Sequence, residues 1–318
     1  EGVAGRFAPS PTGELHLGNL RTALAAWLAA RSTGRRFLVR MEDLDRATSS
    51  VEHEHQQLGD LAAIGLDHDG EIVRQSDRFD RYRAEIARLT ELGRVYPCYC
   101  TRREIRAEIE SAAQAPHGLP DGAYPGTCRD LTASERADRE ASGRSPALRL
   151  RTDGEAIEFD DRVLGPTTGS VDDVVLARSD GVPAYNLAVI VDDAAQGIDQ
   201  VVRGDDLASS TPRQILLQRL LGYARPEYQH VPLILGPAGH RLAKRDGAVT
   251  LADLAAEGWT AADVLAVLAR SLQLASPTEP TSTITADRLV DRYDPAMLPR
   301  APSTLAALRA FHRGVAEN

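Results

Sequence analysis

Arg6-Phe7-Ala8-Pro9-Ser10-Pro11-Thr12-Gly13-Glu14-Leu15-His16-Leu17-Gly18-Asn19 is the stretch on which the fold turns. Residues 3 to 8 carry the pattern of a short strand, a Pro-rich turn follows, and Leu20 to Ala30 form an Ala/Leu-rich helix ending near Gly34. Phe37-Leu38-Val39-Arg40-Met41 then reads as the next buried strand. Strand, helix, strand is how a parallel α/β sheet opens. In such a sheet ligands sit beyond the carboxyl ends of the strands, where the first strand-to-helix turn presents unpaired backbone N–H groups. Pro9 and Pro11 stiffen that turn, Gly13 and Gly18 let backbone approach a ligand, and His16 is placed to donate to a phosphate oxygen at the helix start.

A second string, Arg241-Leu242-Ala243-Lys244-Arg245-Asp246-Gly247, reads as a basic, Gly-flanked loop able to clamp the same phosphates. Lys244 and Arg245 next to Gly247 are two cations suited to pyrophosphate as it separates, because they act on charge that develops in the transition state. Together the two strings make the halves of one nucleotide site.

The chain has 318 residues, more than one hydrophobic core usually supports, so two or three modules around one main sheet are expected. Its 42% hydrophobic content is that of a globular protein. A net charge of −9 argues against holding nucleic acid by bulk electrostatics, while leaving room for a local basic face. No run approaches the roughly 18 consecutive apolar residues of a membrane span, and the N-terminus enters patterned sequence directly, so a cytoplasmic protein with no membrane partner is expected. Three cysteines are an odd number, and Cys98 and Cys100 lie too close for an ordinary disulfide. They point to free or metal-bound thiolates in a reducing compartment.

Residues 51 to 64 and 77 to 93 have apolar positions at helical spacing, with Ser76-Asp77 as an N-cap for the second. From Tyr96 the character changes to a Cys-x-Cys pair, a charged helix at 102 to 114 and Pro/Gly-rich sequence from Pro116 to Gly126. Residues 147 to 178 alternate around Gly165 as short antiparallel strands. Tyr185 to Asp193 and Gln200 to Gly204 resume buried-strand character, and Ser209 to Leu221 is a helix with Pro212 in its first turn. After Val249 the pattern is helical, amphipathic from Trp259 to Leu274. The expected domains are therefore 1–95 and 185–250 as two halves of a Rossmann-type catalytic domain, 96–184 as an insertion, and 251–318 as a helical C-terminal segment.

The sequence resembles the class I glutamyl-tRNA synthetase group. Its first string is similar to that class's "HIGH" region and its second to the "KMSKS" loop. Further matches are Arg40-Met41-Glu42-Asp43-Leu44-Asp45, Tyr185-Asn186-Leu187-Ala188 followed by Asp192-Asp193, and Arg203-Gly204-Asp205-Asp206-Leu207 followed by Ser210-Thr211-Pro212-Arg213-Gln214. The resemblance covers roughly residues 3 to 250. It implies a class I Rossmann-type parallel sheet, split by a small α+β insertion, that makes aminoacyl-adenylate from ATP with Mg²⁺. It also implies that Arg6, Ala8, Ser10, Glu42, Tyr185 and Arg203, with Phe7 and Pro9 of the same turn, surround L-glutamate. His16, Gly18, Asn19, Lys244 and Arg245 would meet ATP, with His16 and Lys244 as the catalytic pair. The chemistry is apt: Arg6 and Arg203 pair with carboxylates, Glu42 holds an α-ammonium, and Tyr185 closes the pocket. Losing a charge-assisted bond of roughly 1.5–3 kcal/mol with a neutral amide favours glutamate over glutamine. The sequence departs from the group's pattern at Asn19, where the second histidine would stand, and at Arg241 and Ala243 of the basic loop. Lys244 is kept, so activity is expected with altered ATP affinity.

Only 318 − 245 = 73 residues follow Arg245, which leaves the helical domains that read the anticodon unaccounted for. The resemblance is therefore closest to the truncated glutamyl-queuosine tRNA(Asp) synthetases, which activate glutamate without tRNA and attach it to queuosine in the tRNA(Asp) anticodon loop. A shortened synthetase charging tRNA(Glu) and a non-catalytic, synthetase-like RNA-binding protein are the alternatives. Cys98, Cys100 and Cys128 supply three thiolates for one structural zinc, which needs a fourth ligand. The resemblance puts Tyr124 there, whereas ligand chemistry alone prefers His117. Arg102, Arg103 and Arg106 share one predicted helix and are candidates for gripping tRNA, though a solvated charged face accounts for them equally well. A monomer is expected by analogy.

Overall fold

The computed structural model describes residues 2–112, 123–236 and 249–312. The chain runs β1 (Ala4–Phe7), α1 (Leu17–Ser32), β2 (Arg36–Met41), α2 (Val51–Ala63), β3 (Val73–Arg74) and α3 (Phe79–Glu91). There follow β4 (Val95–Cys98), α4 (Arg102–Ala112), α5 (Ala133–Ala141), β5 (Ala147–Leu150), β6 (Ala156–Asp161), β7 (Gly165–Ser170) and β8 (Val175–Ala177). The second half is α6 (Tyr185–Gln196), β9 (Ile198–Gly204), α7 (Thr211–Leu221), β10 (Glu227–Val231) and β11 (Ile234–Leu235). It closes with α8 (Leu251–Ala256), α9 (Ala261–Ser271), α10 (Ala286–Val290), β12 (Ser303–Thr304) and α11 (Leu305–His312).

The main sheet has the order β3-β2-β1-β9-β10-β6-β7, parallel except for the β6–β7 hairpin at one edge. The chain leaves β1 for β2 on one side and returns to β9 on the other, so the order reverses between β1 and β9. That is the topological switch point, and the crevice beyond the carboxyl ends of these two strands is where a ligand fits. Strand alternation sorts the side chains: Phe7, Phe37, Val39, Met41 and Val202 face the layer containing α1, while Ala4, Leu38 and Val201 face α3, α6 and α7.

Helix α1 is buried nearly all round because it lies between the sheet and the C-terminal helices, with Leu20, Leu24 and Leu28 packed in one core with Val264, Leu268 and Leu289. The helical segment after residue 250 thus completes a layer of the catalytic sheet. Among the described residues no helix is long and apolar enough to cross a membrane.

Three expectations differ from what is found. Ser76-Asp77 does not cap α3, whose N-cap is Arg78 with no side-chain hydrogen bond, because Gln75–Asp77 is itself a 3-10 turn. Tyr185 to Asp193 reads as a strand but is helix α6, ended by Gly197 at φ 67°. A short run with an apolar centre, here Leu187 to Val191, looks the same for a buried strand and a buried helix, and only packing on the sheet separates them. Within the segment 96–184, β4, β5 and β8 form a separate three-stranded antiparallel sheet, whereas β6 and β7 are hydrogen-bonded onto the main sheet. The segment therefore contributes two strands to the catalytic layer.

Candidate active site

Arg40, Arg6 and Arg203 occupy adjacent strands β2, β1 and β9 and alternate onto the same face, towards α6 and α7. All three are buried, at 0%, 4% and 4% exposure. Three buried guanidinium groups require partners, since an unpaired buried charge is costly. Asp193 of α6 supplies the first: its oxygens lie 2.8 Å from Arg40 and 3.3 Å from Arg6. Asp192, beside it, accepts from Arg78 at 2.6 Å, from the Tyr82 hydroxyl at 2.7 Å and from Gln75 at 3.1 Å. Glu42 stands 3.4 Å from Arg40. On this wall Arg6, Arg40 and Arg78 balance Glu42, Asp192 and Asp193.

Arg203 is different. Its three donor positions go to neutral acceptors: Nε to His230 Nε2 at 3.0 Å, Nη1 to Gln214 Oε1 at 2.8 Å and Nη2 to Thr211 Oγ1 at 2.8 Å. Among the described residues no carboxylate contacts it, so its charge has no ion-pair partner there, while Glu14 and Asp206 also line the cavity.

Of these groups Arg6, Glu42 and Arg203 open into a cavity of about 670 Å³ at the switch point, with Arg40, Asp192 and Asp193 packed behind them. Every described residue expected to surround the amino acid lines it: Arg6, Phe7, Ala8, Pro9, Ser10, Glu42, Tyr185 and Arg203. His16, Gly18 and Asn19 line its other end. Burial above all holds the Glu42 carboxyl above the ordinary range, opposed by the charges of Arg40 and Arg6. Burial, then the Glu42 charge, raises Tyr185, which stays a neutral phenol.

His16 is the N-cap of α1. Its Nδ1 accepts from the Asn19 N–H at 3.3 Å, while the His16 N–H donates to Asn19 Oδ1 at 3.2 Å, a reciprocal capping box. An accepting Nδ1 puts the proton of a neutral ring on Nε2. Gly18 leaves the ring its place, since a Cβ there would stand 3.0 Å from His16 Cε1 and the imidazole would have to shift. Lys244 and Arg245, with Arg241 and Ala243, lie outside the described residues. The flanks of that segment do converge on the cavity: Leu233 and Ile234 line it, and the Leu17 N–H donates to Val249 O at 3.0 Å.

Away from the cavity, Cys98, Cys100 and Cys128 converge with their sulfurs within 4.8 Å of one another, the only such group of three or more metal-binding side chains among the described residues. The Tyr124 hydroxyl is 3.3 Å from Cys98 Sγ and 3.6 Å from Cys100 Sγ, and it accepts from the Cys128 N–H at 3.0 Å. Three thiols and a phenol oxygen around one point are compatible with a tetrahedral zinc site. His117 lies outside the described residues. Arg102, Arg103 and Arg106 are exposed on α4.

Sequence reasoning missed Asp161 and His230 as parts of the site, and quoted Thr211 and Gln214 within a matching motif without assigning them a role. A lone histidine in a buried strand reads as core, yet Asp161 left a trace: in β6 it takes the buried phase after Ile157 and Phe159, where an apolar side chain belongs.

Comparison with known proteins agrees with this geometry. The family model of class I tRNA synthetases (E and Q), catalytic domain, matches residues 2–305. A Glutamyl-Q tRNA(Asp) synthetase of Nocardia farcinica is 60% identical over 301 residues, spanning 95% of this chain and 92% of that protein. Another from Symbiobacterium thermophilum is 48% identical over 324 residues, spanning 96% and 98%. Among solved structures, the glutamate-tRNA synthetase of Elizabethkingia anophelis superposes with a TM-score of 0.80 at 26% identity, covering 98% of this chain and 70% of that one. With this cavity, this sheet order and this degree of identity, the chain belongs to the glutamyl-Q tRNA(Asp) synthetases, within the class I synthetase family for E and Q.

Proposed function

We propose that the chain joins L-glutamate to ATP as glutamyl-adenylate without tRNA, and passes the glutamyl group to queuosine in the anticodon loop of tRNA(Asp). The observation that carries the substrate is Arg203, a buried cation in the cavity wall whose partners among the described residues are all neutral. Glutamate matches that cation, since its side chain ends in a second carboxylate beside the one that is activated. Its side-chain carboxylate pairs with the Arg203 fork, and Glu42 and Tyr185 face its ammonium. The neutral amide of glutamine leaves the Arg203 charge unmatched.

The phosphates of ATP then meet the N-terminus of α1, where the helix dipole and the His16 Nε2–H favour negative charge. Mg²⁺ accompanies ATP and offsets part of its charge. An oxygen of the glutamate α-carboxylate attacks the α-phosphorus, the bond to the bridging oxygen breaks, and pyrophosphate leaves with the electron pair. Lys244 and Arg245 stabilise that leaving charge. In the second step a hydroxyl of the queuosine cyclopentene ring attacks the activated carbonyl, its proton departs, and AMP leaves. Positioning and charge stabilisation supply the rate, with no covalent enzyme intermediate.

The test is ATP–pyrophosphate exchange. Exchange that depends on glutamate and needs no tRNA is expected, and its absence overturns the reading. Labelled glutamate on tRNA(Asp) is expected to survive removal of the 3′-terminal adenosine and to be absent from tRNA lacking queuosine. The reverse pattern would identify a 3′-end synthetase.

Cys98, Cys100, Cys128 and Tyr124 would hold one zinc, which supplies cross-linking of the small module and no step of the reaction. Elemental analysis is expected to find about one zinc per chain. Cys128→Ala should lose it and lower Tm, because a closed zinc site contributes directly to folding. A metal-free wild-type chain of unchanged Tm would refute the site.

A further inference from the structure

We infer that Asp161 and His230 form a two-residue relay that positions Arg203 and so governs selection of the acidic amino acid; the inference rests on the proposed pairing of Arg203 with a glutamate carboxylate. The geometry runs across three adjacent strands. His230 on β10 is level with Arg203 on β9, and Asp161 ends β6 level with Tyr228. His230 Nδ1 is 2.6 Å from Asp161 Oδ2, and its Nε2 faces both the Arg203 Nε–H at 3.0 Å and the Thr211 hydroxyl at 3.2 Å. Side chains of His230 and Asp161 are fully buried.

This arrangement admits one tautomer. An arginine Nε–H only donates, so Nε2 must carry a lone pair and the proton must sit on Nδ1, donated to Asp161. Asp161 is in turn oriented by backbone. Its Oδ1 accepts from the N–H groups of Val163 and Leu164, both at 2.9 Å, and from the His230 N–H at 3.2 Å. Oδ2 is thereby directed at the imidazole. The relay also explains why the β6–β7 hairpin joins the main sheet: it brings a carboxylate behind the substrate cation without touching it. Were that carboxylate in direct contact, it would neutralise Arg203 and compete with the ligand. Through the imidazole it fixes orientation and leaves the charge available.

Asp161→Asn tests the tautomer directly. The amide oxygen inherits the backbone donors, so its NH₂ faces Nδ1, the ring proton moves to Nε2, and two donors oppose each other at Arg203. In glutamate-dependent exchange, KM for glutamate should rise at least about tenfold, with KM for ATP little changed. His230→Phe removes the acceptor and should behave alike. His230→Gln can return an oxygen acceptor near Nε2 and should restore most of what His230→Phe loses. ¹⁵N NMR of the unaltered chain should show His230 protonated at Nδ1 and bare at Nε2.

Four results would overturn the relay: a protonated Nε2 in the unaltered chain, an unchanged KM for glutamate in Asp161→Asn, equal rises in both KM values, or no rescue by glutamine. If the unaltered chain shows no glutamate-dependent exchange, the proposed function fails, while the NMR tautomer still reads the relay by itself.

Discussion

Arg203→Ala is expected to reduce kcat/KM for glutamate-dependent exchange by about 10²–10³-fold, or roughly 3–4 kcal/mol of transition-state binding. The figure follows from removing a forked, charge-assisted pair in a buried site, where each bond contributes roughly 1.5–3 kcal/mol. Glutamine, which gains nothing from the cation, should lose far less, so the preference for glutamate should collapse together with the rate. Arg203→Lys keeps the charge but not the geometry: Nε, Nη1 and Nη2 bind three separate acceptors, His230, Gln214 and Thr211, and an ammonium cannot hold all three in plane. It should fall between wild type and alanine. A variant with Arg203→Ala that retains both rate and preference would remove Arg203 from the substrate site.

The second large effect is on stability. Asp193→Ala leaves Arg6 and Arg40, at 4% and 0% exposure, without their shared carboxylate, and breaking a buried pair in this way costs about 3–5 kcal/mol. Arg40 keeps Gln196 at 2.9 Å and Glu42 at 3.4 Å, which places the expected loss towards the lower end. Asp193→Asn retains acceptor oxygen and should cost less. Burial acts to raise the Asp193 carboxyl, but the charges of Arg6 and Arg40 and their hydrogen bonds outweigh it, and the net shift is downward. A lowered carboxyl stabilises the fold above its unfolded value of about 4 and loses that contribution as pH falls through the folded value. The wild type should therefore lose stability at acid pH, and Asp193→Ala should show a shallower acid limb. Urea melts at several pH values measure both; a midpoint unchanged at neutral pH would show the pair to be energetically idle.

Much of the site was legible because its residues lie in short strings. Residues 6–19 hold a strand, a turn and a helix start in fixed succession, and their side chains reach one cavity because the turn is short. Glu42 follows β2 directly, and Arg203 sits at the end of β9, both positions where a parallel sheet presents ligand-binding groups. Tyr185–Asp193 was illegible in a different way: the run supplies the right residues, while its conformation depends on the surface it packs against. His230 and Asp161 were hidden because each alone is only a polar side chain at a buried strand position, with no partner nearby in sequence. Their purpose exists only where three strands, 69 residues apart between the two side chains, come into register.

The amino-acid order by itself determined the opening of a parallel sheet and the turn at its first helix, since each is written in neighbouring residues with fixed geometry; it supplied the three cysteines as residue types, and the acidic-substrate chemistry came from the family resemblance. Tertiary structure alone decided which charges are matched. Whether a buried arginine meets aspartate, as Arg6 does, or only neutral acceptors, as Arg203 does, depends on groups from distant strands and helices. Electrostatic pairing acts through space over a few ångströms, and sequence separation carries no record of that distance.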